Sequence, residues 1–512
     1  MSLNRTSLVR PLFRQRLNAL SRYTTHTKDL QREVLQRLLQ RASATEYGRR
    51  HGFARMESYA NFHNDVPLNS YEELKDYIDR MRHGESDLLW PGQVKWYAKS
   101  SGTTNDKSKF IPVSKEGLDN IHYRGGKDTV GLYLRINPNS CLMDGKSLIL
   151  GGSHSPNYNL PNSIVGDLSA ILIENMWWYT HRLRVPSKHT ALLSDFEVKR
   201  EQIVKETLNK NVTSLSGVPS WMLSVLLSVL EKSGKRTLDE VWPNLEVFFH
   251  GGISFSPYRK TYEQLIRSSK MHYMETYNAS EGFFGIQSDL SDPAMLLMID
   301  YDIFYEFIPM DTFHDDIPVV VPLSDVEIGK NYAMVISTSC GLWRYIIGDT
   351  VKFTQKDPYK FVITGRTKHY INAFGEELIV DNAEKALAYV CEQTNAEVRD
   401  YTAAPIFMDQ QGHCRHQWLL DFAKKPDDMG QFATMLDRQL QHINSDYEAK
   451  RYKDITLQPL EIIVAQQGLF DMWLKSKGKL GGQHKVPRLA NNRQIIDELL
   501  LMNADIKSQQ GV

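Results

Sequence analysis

Residues 29–42, DLQREVLQRLLQRA, place leucine and valine at helical spacing with charged residues between them, which predicts an amphipathic helix. A second helix is predicted in SYEELKDYIDRMRHG, where Ser70 stands three residues before Glu73 as a capping box and Gly84 ends the run. From about residue 147 the pattern alternates. Strand-like SLILGG is followed by helix-like EQIVKETLNK and WMLSVLLSVLEKSG, then strand LEVFFHGG, helix PYRKTYEQLIRSS and strand MHYMETY. Such alternation predicts a largely parallel α/β architecture. The runs that follow, AMLLMIDYDIFYEFIP, YAMVIST, WRYIIGDTVKF and YKFVITG, are apolar and β-rich with few helix signals. They predict an antiparallel or β-barrel-like portion attached to the α/β part.

Beyond TGRTKHYINAFGEE a second unit is predicted. DNAEKALAYVCEQT reads as a helix capped by Asp381 and Glu384, HQWLLDFA as a strand, GQFATMLDRQLQHI as a helix and LEIIVAQQ as another strand. The expected fold class is therefore α/β, with a large N-terminal domain over 1–366 and a smaller C-terminal α+β domain over 367–512. A chain of 512 residues agrees with more than one domain.

Lys plus Arg number 61 and Asp plus Glu number 61, so no overall field draws the chain to nucleic acid or an anionic membrane. The run WMLSVLLSVL is about half the length a bilayer needs and is broken by serines, so a buried helix is expected rather than a span. Cys141, Cys340, Cys391 and Cys414 lie too far apart for a zinc knuckle or a disulfide framework and read as reduced, in keeping with a cytoplasmic protein. The start of the chain carries Arg5, Arg10, Arg14, Arg16, Arg22 and Lys28 before its first acid, Asp29. That pattern suits an organelle transit peptide or a basic helix packed on the domain, and lacks a secretory apolar core.

Five segments carry candidate chemistry. SSGTTNDKSKF (100–110) gathers hydroxyls, a glycine and two lysines, as an anion-wrapping loop or a solvated turn would, and it is not a P-loop because G-x-x-x-x-G-K-[ST] is absent. FFHGGISFSPYR sets two glycines at a strand end, with Ser256 and Pro257 suited to the N-cap and first position of the next helix. In YNASEGFFG, Tyr277 could stack on a base, Ser280 donate to a phosphate and Glu281 hold magnesium; a loop with a surface acid fits equally well. GLWRYIIGDTVKF places Asp349 where a carboxylate can accept ribose hydroxyls. ITGRTKHYINAFGEEL adds Arg366 at a strand end and a plausible hinge.

Taken in order with GGQHKVPR at 481–488, these segments resemble the adenylate-forming superfamily of acyl-coenzyme A synthetases, peptide-synthetase adenylation domains and luciferases. SSGTTNDKSKFIPVS, YNASEGFFG, GLWRYIIGD and GQHKVPR are most similar to the Gretchen Hagen family of auxin-responsive acyl acid amido synthetases, in its bacterial form. The resemblance implies the luciferase-like, adenylate-forming architecture and a site for ATP and Mg²⁺. Ser100, Ser101, Gly102, Thr103 and Thr104 would cradle the phosphates, with Lys109 as the family's basic position. Gly251 and Gly252 would flank the adenine and Tyr277 pack on it. Ser280 would meet the α-phosphate, Glu281 the metal and Asp349 the ribose, supported by Arg366. Lys485 would be the mobile catalytic lysine carried in by the small domain.

The sequence departs from the family at three places. Ile346 stands where plant members have a second arginine, leaving Arg344 nearby; Asn105 and Asp106 replace small residues, and Asp106 is expected to point away from nucleotide; Glu376 and Glu377 lie where plants have a hinge lysine. The implied reaction joins a small carboxylic acid to an amino acid through an acyl-adenylate, in a monomer or weak homodimer without nucleic-acid or membrane partners. Transfer to a thiol such as coenzyme A, or nucleotide binding without turnover, are the rival expectations. Acid specificity is expected from side chains between 120 and 330, with the aromatics of ENMWWYTHR read as core before substrate contacts.

Overall fold

The computed structural model describes residues 4–100, 109–252, 255–313, 315–367, 370–371, 378–406, 414–444, 447–448, 451, 457–478, 485–490 and 492–509. The two leading helices form where expected, at Thr27–Ala42 and Tyr71–Arg82. The second starts on the expected capping box, in which the Ser70 backbone N–H donates to Glu73 Oε2 at 2.6 Å. The basic start of the chain is a helix, Arg5–Ala19, packed on the large domain. Its Arg16 pairs with Asp128 at 2.7 Å and also with Asp300, so at least one of the six early cations is a structural tether.

A twelve-stranded sheet organises the large domain. Its parallel half comprises Arg184–Val185, Lys146–Ile149, Val212–Gly217, Val247–Gly251 and His272–Ala279 in spatial order. Helices cover both faces of that half. Leu148, Leu215 and Phe248 share a core with Val204, Val225, Leu226 and Tyr262 of the helices Phe196–Thr207, Pro219–Ser233 and Ser256–Leu265. Val247 and Met274 face the opposite way, into the core that holds Leu132 and Tyr133 of the helix Arg124–Ile136. Burial on both faces is what parallel strands require. The apolar WMLSVLLSVL run is accordingly a surface-packed helix with Met222, Val225, Leu226 and Val229 inward, and among the described residues no helix is long and apolar enough to cross a membrane.

The antiparallel half continues from the same sheet. His272–Ala279 pairs with Gly282–Gln287, followed in space by Met295–Leu297, Tyr359–Arg366, Tyr345–Lys356, Asn331–Thr338, Ile303–Pro309 and Val321–Pro322. The portion expected to be antiparallel or barrel-like is thus an antiparallel extension of the parallel strands, made possible by the hairpin turn at Ser280–Glu281. A separate three-stranded sheet pairs Trp96–Ser100 antiparallel to Lys109–Val113 and parallel to Ile164–Gly166.

Beyond residue 370 the chain builds its own cores. Strands Glu397–Ile406, Arg415–Lys424 and Glu461–Val464 form a sheet; Val380–Thr394 and Met429–Ile443 cover one face, Leu469–Ser476 and Gln494–Gln509 the other. Its first helix is capped differently from the sequence expectation. The helix begins one residue before Asp381, so the Ile379 backbone N–H donates to Asn382 Oδ1 at 3.3 Å. Glu384 is instead half-buried and accepts from the Tyr401 hydroxyl at 3.1 Å.

Among the described residues, Arg344 and Glu306 form the most enclosed ion pair of the large domain's antiparallel half, with side chains 5 % and 1 % exposed. The guanidinium donates to both Glu306 oxygens at 2.9 and 3.0 Å, and to the carbonyls of His63 and Val66 at 2.8 and 2.7 Å. Arg344 also takes a left-handed φ of 41°, a strained conformation held by those bonds. Removing one partner of such a pair strands a buried charge, so Glu306→Ala is expected to lower unfolding free energy by about 3–5 kcal/mol. Denaturant unfolding of the large domain checks this; a loss under about 1 kcal/mol contradicts it.

Candidate active site

The C-terminal ends of the parallel strands form one rim, where open α/β sheets bind ligands. Gly251 ends its strand in register with Thr276, and a Cβ there would collide with the Thr276 carbonyl, so only glycine lets these backbones approach. Gly252 follows with φ +80°, the left-handed region that glycine adopts without strain. His250, just before them, is buried flat against Phe255 with ring centroids 4.2 Å apart, and burial lowers its pKa to about 3. The helix expected to be capped by Ser256 starts on Ser256 itself after Phe255, with Pro257 in its first turn.

One strand further, Tyr277 is 5 % exposed and packs on Phe284 at 4.8 Å between centroids. Its hydroxyl donates to Asp349 Oδ2, which sits 8 % exposed on Tyr345–Lys356. Neither residue predicts this bond in the sequence, since they lie 72 positions apart. It ties the last parallel strand to the antiparallel half. Asp349 is in register with Arg366, the last residue of Tyr359–Arg366, and the Thr367 N–H then donates to the Gly348 carbonyl at 2.8 Å. Ser280 and Glu281 form the turn between His272–Ala279 and Gly282–Gln287, both largely buried. Nearer the start of His272–Ala279, in register with His250, burial raises the Glu275 carboxyl to about 7.

Lys485 reaches this rim from the small domain, its Nζ donating to the Gly252 carbonyl. The segment behind it is fixed by backbone bonds between Ala403 and both Arg488 and Ala490 at 2.9 and 3.0 Å, and by the Arg488 guanidinium 4.7 Å over the Tyr401 ring. The structure therefore gathers Gly251, Gly252, Tyr277, Asp349, the backbone of Arg366 and Lys485, with Ser280 and Glu281 at the end of the Tyr277 strand.

Ser100 and Lys109 lie on the separate three-stranded sheet as direct cross-strand partners, and they bring together the two ends of the segment between them. Ser101, Gly102, Thr103, Thr104, Asn105 and Asp106 lie outside the described residues, as do Glu376 and Glu377. Arg344 is committed to Glu306, and Ile346, in the place of the missing arginine, packs beside Ile308, Ala333 and Val335. The WWY aromatics are not core: Trp177, Trp178 and Tyr179 are 60 %, 69 % and 48 % exposed, on a segment that turns over the surface.

Comparison with known proteins matches the GH3 family N-terminal domain over residues 16–271, its central domain over 296–366 and its C-terminal domain over 381–494. Among curated proteins, the chain is 25% identical to indole-3-acetic acid-amido synthetase GH3.15 of Arabidopsis thaliana, over 96% of this chain and 95% of that one. It is 23% identical to the 4-substituted benzoates-glutamate ligase GH3.12 of the same plant, over 93% and 95%. Of solved structures, the GH3.15 acyl acid amido synthetase superposes with a TM-score of 0.78 at 23% identity, covering 96% of this chain and 95% of that one. A 2-hydroxyisobutyryl-CoA ligase in its postadenylation state gives 0.56 at 12% identity, covering 93% and 91%, a likeness of fold. The chain belongs to the GH3 family.

Proposed function

We propose that this chain is an ATP-dependent acyl acid amido synthetase, which adenylates a small carboxylic acid and passes the acyl group to the amine of an amino acid. The observation that carries the reading is the rim itself, where Lys485 Nζ meets Gly252 beside the Tyr277–Asp349 pair and the Ser280–Glu281 turn. Family membership and relatives named as amido synthetases support it.

In the first step a carboxylate oxygen of the acid attacks the α-phosphorus of ATP and the α–β P–O bond breaks, giving acyl-adenylate and pyrophosphate. Gly251 and Gly252 flank the adenine, Tyr277 packs beside it and Asp349 accepts from the ribose, with Arg366 supporting the junction. Ser100 to Thr104 and Lys109 hold the phosphates. Ser280 donates to the α-phosphate, and Lys485 offsets the charge where two anions meet. In the second step the amine nitrogen attacks the acyl carbonyl, the bond to the AMP oxygen breaks, and the amine loses a proton.

Mg²⁺ is commonly held by one or two carboxylates plus substrate phosphates, and the buried Glu281 at the phosphate end of the rim fits that donor set. When bound, the ion neutralises phosphate charge. The reading extends to a large domain over 1–366, a small domain over 367–512 that carries Lys485 in and out, and a cytoplasmic monomer or weak homodimer.

Carboxylate-dependent exchange of labelled pyrophosphate into ATP tests the first step: exchange with at least one acid is expected, and none across a broad acid library while ATP still binds contradicts it. Amino acids added to the exchanging mixture should yield an amide; thioester formation with coenzyme A alone would contradict amine transfer. Lys485→Ala is expected to slow adenylation by about 100- to 1,000-fold, the scale of a lost electrostatic donor; exchange at the full rate would remove Lys485 from the mechanism. Tyr277→Phe, which frees the Asp349 carboxylate from its hydroxyl, should raise KM for ATP by about 3- to 10-fold, the scale of one hydrogen bond, and an unchanged KM would contradict that coupling.

A further inference from the structure

Lys199 is an ammonium buried to 3 % exposure, and it donates to two backbone carbonyls. Its Nζ donates to Gly151 O at 2.7 Å and to Gly152 O at 3.0 Å, and lies 5.1 Å from the Trp221 ring centroid. The same turn is held from the other side. Gly152 N–H donates to Ser169 Oγ at 2.8 Å, Ser153 N–H to Asp167 Oδ2 at 2.8 Å, and Asp167 N–H to Ser153 O at 3.0 Å. Side chains from two stretches, Lys199 on one helix and Asp167 and Ser169 at the start of another, therefore fix successive peptide groups of Gly151–Ser153.

Gly152 has no room to change, and Gly151 only as far as the Ile173 tip can move. A Cβ on Gly152 would collide with Asp167 Oδ2, and one on Gly151 with Ile173 Cδ1. Burying a lysine to hold two carbonyls is costly, and burial lowers its pKa to about 8. Gly151 and Gly152 are buried, so their carbonyls need a donor from the protein, yet a neutral donor would serve without burying a charge. Local stability alone is a poor return for a buried charge.

The turn's location supplies the reason. Leu150 N–H pairs with Ser216 O at 3.0 Å, and the Leu150 Cβ lies 3.3 Å from where a Cβ on Gly217 would stand. Val218, next along, is 3.5 Å from the equivalent point on Gly252, and Lys485 Nζ is 3.9 Å from it. Gly151–Ser153, Gly217–Val218 and Gly251–Gly252 are thus consecutive strand ends of one rim. Two strand spacings, about 10 Å, separate the first from the last. That span, from Lys485 Nζ where acid and nucleotide meet to the Gly151–Ser153 turn, matches the length of a medium-chain or aryl-substituted acid.

We propose that Lys199 is a positioning residue that clamps the Gly151–Ser153 turn as the far wall of the acyl-acid site, so that it sets the affinity for the distal part of the acid. This rests on the synthetase reading above. Nothing in it requires Lys199 to touch the substrate. The nucleotide end, held by other elements, is independent of the clamp.

The test is pyrophosphate exchange by Lys199→Met and by the milder Ser169→Ala, with acetate, octanoate and phenylacetate as probe acids. Both variants should raise KM for octanoate or phenylacetate, by about tenfold for Lys199→Met on the scale of lost charge-assisted bonds, with KM for ATP and for acetate unchanged. Equal losses for all acids and ATP would show a merely structural lysine and overturn the inference. Unaltered constants in both variants would overturn it too; if Lys199→Met does not fold, the Ser169→Ala result decides. Wild-type protein that exchanges with no acid overturns the synthetase reading and this inference together, whereas wild-type exchange with indifferent variants overturns this inference alone.

Discussion

The pairing of one strand, His272–Ala279, constrains the rest of the large domain. On one side it lies parallel to Val247–Gly251, on the other antiparallel to Gly282–Gln287, so one backbone joins the two halves of a twelve-stranded sheet. The close approach of Gly251 to Thr276 sets the first pairing and the Ser280–Glu281 turn the second. Both features fall in the carboxyl half of the strand or just beyond it. The residues that position the rim are thereby the residues that hold the sheet together. The Tyr277–Asp349 bond adds a side-chain tie across the same seam, over three intervening strands.

Local features were legible in the sequence because their causes are local. The Ser70–Glu73 box spans one helical turn, and the alternation from SLILGG to MHYMETY predicts the parallel strands because both faces must be buried. Features with partners far along the chain were not. Glu306 and Arg344, Tyr277 and Asp349, and Lys199 and Gly151 are separated by 38, 72 and 48 positions, and nothing near either member announces the other. The Asp381 cap failed for a related reason: starting the helix one residue earlier made Asn382 the nearest acceptor and released Glu384 to the Tyr401 hydroxyl. The WWY aromatics misled because size and apolarity predict burial on average, whereas this segment turns over the surface.

The candidate site was readable through the order of its motifs, since no single segment specified a nucleotide. What the structure adds is their convergence. Gly252 and Lys485 stand 233 positions apart and meet at one carbonyl, and Asp349 meets Tyr277 through a side-chain bond between strands that are not neighbours in the sheet. It also assigns the arginine beside the departed plant position to a buried ion pair, so Arg344 is not a substitute ligand for nucleotide.

The central claim is that the acid is activated by attack on the α-phosphorus of ATP. The most direct measurement follows oxygen from a carboxylate labelled with oxygen-18 through a complete reaction with an amino acid, by mass spectrometry of the nucleotide product. One labelled oxygen in AMP for each amide formed is the expected result. Label in inorganic phosphate with ADP as the product, or amide formed without label in AMP, would contradict it.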